Sequence, residues 1–205
     1  PILRSKGIPI VTWYAHRHVT TLLKLAHHLS DKMVTSAETS YRYKHNKLVV
    51  VGQGIDTDLF SPGDAGPDNP PLLLSVGRLS PIKDLLTLIE AVHLLRRKGY
   101  EVRCALVGDA PERDRAYAKQ VRERVRDLGL QGIVDFVGIV SNAEVVHWYR
   151  RCFAHVNLSP TGALDKAALE AMACGKPSLV ANEGFRETLG RWVAELLFRW
   201  GDPVD

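Results

Sequence analysis

From "IPIVTWY" (residues 8–14) onward, short β-rich runs alternate with segments of helical spacing, and this alternation limits the possible folds more than any other feature. "HVTTLLKLAHHL" places Val19, Leu22, Leu23 and Ala26 on one helical stripe. "KMVTSA" and "KLVVVG" read as strands around the polar stretch "ETSYRYKHN". The pattern then restarts: "PLLLSVG" is a strand, and "PIKDLLTLIEAVHLLRRKG" a helix with Pro81 in its first turn and Gly99 past its end. "EVRCALVG", "IVDFVG", "AHVNLSP" and "PSLVAN" continue as strands. "ERDRAYAKQVRERVRDLGL", "NAEVVHWYRRC" and "LEAMACG" are the helices between them. Strands alternating with helices imply an α/β protein with a parallel sheet covered on both faces.

"SPGDAGPDNPP" separates the two halves, with four prolines and two glycines in eleven positions. The expected organisation is a partial Rossmann-like domain over residues 1–60, a linker over 61–70, and a larger Rossmann-like domain over 71–205. The chain begins at Pro1 without a methionine, which reads as a piece of a longer protein.

Apolar residues make up 45 % of the chain and charged residues 24 %, enough for a sizeable core. No apolar run reaches the length of a membrane span, and the N-terminus lacks a signal-peptide pattern. Cys104, Cys152 and Cys174 are far apart and set among apolar neighbours, the usage of buried reduced thiols in a cytoplasmic protein. The net charge of +4 lies entirely in residues 1–60, which hold eight Lys/Arg against four Asp/Glu and five of the eight histidines. That excess suits a phosphate-rich ligand, an anionic membrane surface contacted peripherally, or a plain solvated face. Basic residues are not interleaved with aromatics as in a nucleic-acid module, so no nucleic-acid partner is expected.

Doubly wound sheets bind ligands beyond the carboxyl ends of their strands, so the loops there are where chemistry is sought. In "SVGRLSPIKD", Gly77 lets the chain turn. Arg78 and Lys83 then bring two cations to the start of a helix, a site for a diphosphate or simply surface charge. In "SPTGALDKAALEAMACGKP", Gly162 and Ala163 expose backbone N–H groups, Asp165 is a candidate N-cap, and Leu169, Met172 and Ala173 are expected to pack on the sheet. Glu170 stands among apolar residues, where burial is costly unless it is paired. It could accept hydrogen bonds from sugar or ribose hydroxyls, or cap a neighbouring loop. His16 follows the first strand and suits a base or a hydrogen-bond donor, or else an ordinary loop histidine. His16 and His18 lack a third ligand at a fitting spacing. Asp56-Thr57-Asp58 in "GQGIDTDLF" is better read as a turn than as a metal site.

The ordered motifs "GIDTDLF-SP", "LLSVGRLSPIKDLLTLIEA", "LVGDAP", "FVGIVSNAEVVHWYRRC" and "LEAMACGKP" resemble the C-terminal half of family 4 (group 1) glycosyltransferases of the GT-B fold, from about Ile8 onward. The resemblance implies two facing Rossmann-like domains and a retaining sugar transfer from a UDP- or GDP-sugar to an acceptor, without a metal or other cofactor. It implies that Arg78 and Lys83 hold the pyrophosphate and that Glu170 holds the ribose hydroxyls. Gly77, Gly138, Gly162, Ala163, Leu164 and Asp165 would line the donor site, and the His16 of "YAHRH" would lie near the reacting sugar. Many such relatives act on lipid-linked or cell-envelope acceptors, which implies a cytoplasmic protein at the inner face of a membrane.

Three departures from the family pattern bear on function. The signature of two glutamates separated by seven residues has Gly162 in its first position, where Asp165 or backbone N–H groups would have to substitute. The glycine-rich loop of the N-terminal domain is absent. The chain also stops after "LLFRWGDPVD", before the closing helices the resemblance leads one to expect. A non-catalytic nucleotide-sugar binding module is therefore the alternative reading. A sugar-nucleotide epimerase or phosphorylase of the same fold comes after it.

Overall fold

The computed structural model describes residues 2–16, 18–64, 66–160 and 164–205. Contacts divide the chain into two compact units, with the boundary between Gly54 and Ile55.

The first unit holds α1 (Ile2–Ser5), β1 (Val11–Trp13), α2 (Thr21–Leu29), β2 (Lys32–Thr35) and β3 (Leu48–Val50). The strands pair in parallel in the order β1-β2-β3, with Val11 opposite Lys32 and Met33 opposite Leu48. Leu23, Met33 and Tyr41 form its core, with Tyr14, Tyr43 and Leu48 packed around them. Thr20 caps α2 by accepting from Leu23 N at 3.1 Å. Lys47 closes the other end, donating to the carbonyls of His27 and Ser30 at 3.0 and 2.7 Å. A cation on the carbonyl end of a helix is the favourable sign for its dipole. Val11, Trp13, Val50 and Val51 remain exposed.

The second unit holds β4 (Leu72–Val76), α3 (Leu85–Arg97), β5 (Arg103–Val107), α4 (Arg115–Asp127), β6 (Val134–Gly138), α5 (Asn142–Arg151), β7 (Ala154–Asn157), α6 (Lys166–Ala173) and β8 (Ser178–Val180). Two single turns follow, α7 (Arg186–Leu189) and α8 (Val193–Leu196). All five strands are parallel, in the order β6-β5-β4-β7-β8. The winding reverses between β4 and β7, so the topological switch point lies between their carboxyl ends.

Strand alternation builds a core on each face. Cys104 and Leu106 of β5 turn toward α3 and α4, meeting Leu88, Ile89, Val92, Val121 and Val125. Ala105 and Val107 turn the other way with Leu72 and Leu74, toward Val145, Val146, Tyr149 and Ala171 of α5 and α6. Burial on both faces explains why these strands read as continuous apolar runs.

The proline-rich stretch after the unit boundary is held to α5. Arg150 donates to the Ser61 carbonyl at 2.9 Å, and Arg151 grips the Asp68 carboxylate with two bonds of 3.0 and 2.8 Å.

Two local expectations are corrected. Pro81 does not open the helix. Residues Pro81–Lys83 form a 3-10 turn, closed by Lys83 N to Ser80 O and Asp84 N to Pro81 O. Asp84 then adopts a left-handed conformation, φ 42 and ψ 46, and α3 starts at Leu85. Aspartate is among the few residues that tolerate this region, and here its carboxylate accepts from Thr87 Oγ1 at 2.9 Å. In α6, the fully buried residues are Ala167, Ala168 and Ala171. Ala173 packs on the core as expected while partly buried, and Leu169 and Met172 are only partly buried. Three alanines let the helix axis approach β7 and β8 closely, leaving the longer side chains at the flanks.

Candidate functional site

The adjacent strands β4, β5 and β6 lead into Gly77, Gly108 and Gly138, all at positive φ (145, 127 and 84). Gly77 N donates to Val107 O at 2.9 Å and Gly108 N to Gly138 O at 2.8 Å, so the strand ends are stitched side by side. A Cβ on Gly108 would lie 2.0 Å from Gly77 O, which leaves glycine as the only residue that fits. These glycines form a floor of backbone at the mouth of the sheet. Sequence reading had picked out Gly77 and Gly138. Gly108 was missed, although "SVG", "LVG" and "FVG" repeat one signal at three strand ends.

Arg78 follows Gly77 and is exposed, and its guanidinium has no ion pair or hydrogen bond among the described residues. Lys83 folds back over the same turn, since a Cβ on Gly77 would meet its Cε at 3.0 Å. The Lys83 ammonium is bound to the carboxylate of Asp165, and the two side chains are only 14 % and 24 % exposed. Asp165 is the N-cap of α6, as expected, its Oδ1 accepting from Ala167 N at 3.2 Å. Burial by itself would raise the Asp165 pKa. Lys83, Asn157 and Ala167 N outweigh it and hold the carboxyl below its usual range. The helix end contributes less than the sequence suggested, because Leu85 N is already bonded to Tyr117 Oη at 2.6 Å.

Glu170 projects from α6 and accepts from Tyr149 Oη at 3.0 Å through Oε2. Burial raises its pKa, and the bond from Tyr149 and the charge of Lys166 only partly oppose the shift. Tyr149 is fully buried against Phe60 and His155. The sequence did not single it out. It lies 21 residues from Glu170, and only the packing of α5 beside α6 joins them.

Glu170, Gly77, Arg78, Gly108, Asp109, Ile139 and Asn142 line a cavity of ≈ 310 Å³ at the carboxyl ends of the strands. Its far rim is fixed by a capping box on α5, with Ser141 Oγ accepting from Glu144 N at 3.2 Å and Glu144 accepting from Ser141 N at 2.8 Å. Two larger hollows exist, ≈ 470 Å³ beside Arg122 and Phe136 and ≈ 380 Å³ between α3 and Phe198. The first opens on α4 and the start of β6, and the second is mostly apolar, with Lys98, Asp202 and Asp205 also lining it. The first is lined by Lys119, Arg122, Glu123 and Arg126. The smaller cavity, near the lower size limit for small-molecule sites, differs in its place at the glycine-ended strands, with Arg78 and Glu170 on its wall.

The remaining expected residues are distributed as follows. Gly162 and Ala163 lie outside the described residues. Leu164 is half-buried. His16 is exposed three residues past β1, bridged by backbone to Tyr41 and 5.5 Å edge-on to Tyr14. His27 is a packing residue, with Nδ1 2.7 Å from Tyr41 Oη and Nε2 3.1 Å from Asn46 Oδ1. Asp56 forms the expected turn, accepting from Asp58 N and Leu59 N at 3.1 Å. The three cysteines are free and buried. Among the described residues no group of three or more His, Cys, Asp or Glu could hold a metal, and no helix is long and apolar enough to cross a membrane.

Known proteins share this architecture. The Anabaena protein Alr3699/HepE, solved with UDP, superposes with a TM-score of 0.83 at 20 % identity, covering 98 % of this chain and 61 % of that one. Its complex with UDP-glucose gives 0.81 at 21 % identity, with the same two coverages. At these identities the likeness shows the fold, two Rossmann-like units of the GT-B type. By sequence, the D-inositol 3-phosphate glycosyltransferase of Frankia alni is 33 % identical over 173 residues, 78 % of this chain and 42 % of that protein. The mannosylfructose-phosphate synthase of Agrobacterium fabrum is 33 % identical over 116 residues, 55 % of this chain and 26 % of its own. The chain thus spans less than half the length of these curated relatives. The profile of the family described as "Glycosyl transferases group 1" matches residues 56–203, and with them every strand and helix of the second unit. This chain belongs to the group 1 glycosyltransferases.

Proposed function

We propose that the chain is the donor-binding part of a glycosyltransferase that moves a sugar from a nucleoside-diphosphate sugar to an acceptor with retention of configuration. The observation that carries this reading is a cavity at the strand ends with Arg78 and Glu170 on its wall, and Lys83 on the same loop after β4, packed against Gly77. In the transfer, the bond from the anomeric carbon to the diphosphate breaks and negative charge grows on the leaving phosphate. Arg78 and Lys83 are positioned to stabilise that charge. Glu170, with one oxygen held by Tyr149, has its other oxygen for ribose hydroxyls. The glycine floor lets the nucleotide lie against the backbone.

UDP is the favoured nucleotide, because the Anabaena structures hold UDP and UDP-glucose; GDP is the other candidate. We further assign residues 1–60 to the end of an acceptor-side domain, 61–70 to a linker and 71–205 to the nucleotide-sugar domain. His16 enters as a hydrogen-bond donor to the sugar on the "YAHRH" resemblance alone, and Gly162, Ala163 and Leu164 enter as donor contacts on the same basis. A lipid-linked acceptor and a cytoplasmic, membrane-peripheral location are supported by the positive excess of residues 1–60.

Calorimetric titration with UDP and GDP tests donor binding, and release of free nucleotide in the presence of acceptor tests transfer. Arg78→Ala should lower transfer about 10²–10³-fold with little change in folding. Near-normal turnover of a folded Arg78→Ala protein would refute the phosphate assignment. One second reading has an observation in its favour. Gly162 stands where the family has its first acid, which points to a binding module that holds the nucleotide sugar without transferring it. Tight UDP binding with no nucleotide release would select that reading.

A further inference from the structure

Lys83 and Asp165 are 82 positions apart and come from the loops after β4 and β7, the two strands that flank the switch point. Their ion pair therefore closes the crevice in which a sheet of this winding receives its ligand. Asp165 is held from three sides. Ala167 N donates to Oδ1, Lys83 to Oδ2, and the buried Asn157 side chain also hydrogen-bonds the carboxylate. Asn157 is itself fixed, its Oδ1 accepting from Ser159 N at 3.2 Å. The anion is thus positioned by the fold and is not a chance surface contact.

The charges around the crevice nearly cancel. Arg78 and Lys83 are offset by Asp165 and by Asp109 on the cavity wall, and Glu170 by Lys166. A site meant to attract a diphosphate gains from a surplus of positive charge, and this one has none while Asp165 holds Lys83.

We propose that Asp165 is a built-in counter-anion for Lys83, which a nucleoside diphosphate must displace from the ammonium in order to bind. Asp165 thereby sets the affinity for the phosphate portion of the donor. The proposal rests on the donor-site reading above and is shared by its transferring and non-transferring versions. Binding exchanges one ion pair for another at Lys83, so the phosphate gains only the difference between the two contacts. The freed carboxylate keeps its bond from Ala167 N, and α6 stays capped.

The test is calorimetric titration of the chain with UDP, GDP and uridine, before and after Asp165→Asn. Asparagine is also a good N-cap, so the substitution removes the charge and retains the helix start. Asp165→Ser serves as a second capping variant should the first fold poorly, and thermal unfolding checks both. The expected result is UDP binding tightened at least about tenfold in the folded variants, with uridine binding unchanged. In a Lys83→Met background the gain should disappear. Unchanged or weaker UDP binding by the folded variants, while the parent chain binds UDP, would overturn the counter-anion role and leave the donor site standing. Absence of UDP and GDP binding in the parent chain and in both variants would overturn the donor site and this proposal together.

Discussion

Tyr149 donates its phenolic hydroxyl to Glu170 Oε2 at 3.0 Å, from a ring with no exposed surface. The bond fixes one oxygen of the only acid that α6 brings to the cavity. Tyr149→Phe keeps the ring packing against Phe60 and His155 and deletes the single bond. Stability should drop by about 0.5–1.5 kcal/mol, the usual value of one such hydrogen bond. Affinity for UDP should drop several-fold more than affinity for inorganic pyrophosphate, because Glu170 is assigned to the ribose. Urea unfolding and parallel titrations measure both, and equal losses for the two ligands would contradict the ribose assignment.

Gly108 is the least replaceable residue of the floor. At φ 127 any L side chain is strained, and a Cβ would press on Gly77 O at 2.0 Å. Gly108→Ala should cost at least about 3 kcal/mol, since strain and a backbone clash act together. Gly132 also has positive φ but open space around its Cβ, so Gly132→Ala should cost only about 1 kcal/mol. Denaturant titration of the two variants provides the comparison. Similar losses would mean the strand ends can separate.

The sheet and its helices were legible because both faces of each central strand are buried, so apolar runs and turn residues mark the five strands and the four helices between them. The start of α3 was not. "SPIKD" carries every local mark of a helix N-terminus, yet Asp84 turns left-handed and separates Lys83 from the helix. The packing face of α6 was legible only at Ala173; Ala167, Ala168 and Ala171 were passed over because alanine is a weak apolar signal, while close approach to a sheet selects for it. The pairs Lys83–Asp165 and Tyr149–Glu170 were out of reach for the same physical cause. Each joins side chains from separate crossovers, 82 and 21 residues apart, and no periodicity records such a contact.

The thiols supply a test of the cores themselves. Burial pushes the Cys104 and Cys152 pKa values up to about 12 and raises that of Cys174 as well. At pH 8 the thiolate fraction of the first two is then about 10⁻⁴, and access is blocked besides. Ellman's reagent should label none of the three cysteines quickly in the native chain and all three in urea. A fast-reacting thiol in the native state would show that one of the sheet faces opens.

His155 makes stability depend on pH. It is fully buried on β7, with Nδ1 3.1 Å from Ser178 Oγ and Nε2 without a hydrogen-bond partner among the described residues. Burial lowers its pKa from 6.5 to about 4, against the opposing pull of Asp165. Between those two values the unfolded chain binds a proton that the folded chain refuses. Stability is therefore full above pH 6.5 and falls as pH drops toward 4, by at most about 3 kcal/mol. Glu170, whose pKa is raised by burial, contributes with the opposite sign, so the parent chain alone does not isolate the histidine. Comparison with His155→Leu does. Urea unfolding of both proteins at pH 7 and pH 4.5 should show the parent losing more stability than the variant, and parallel losses would mean that His155 takes up its proton in the folded state.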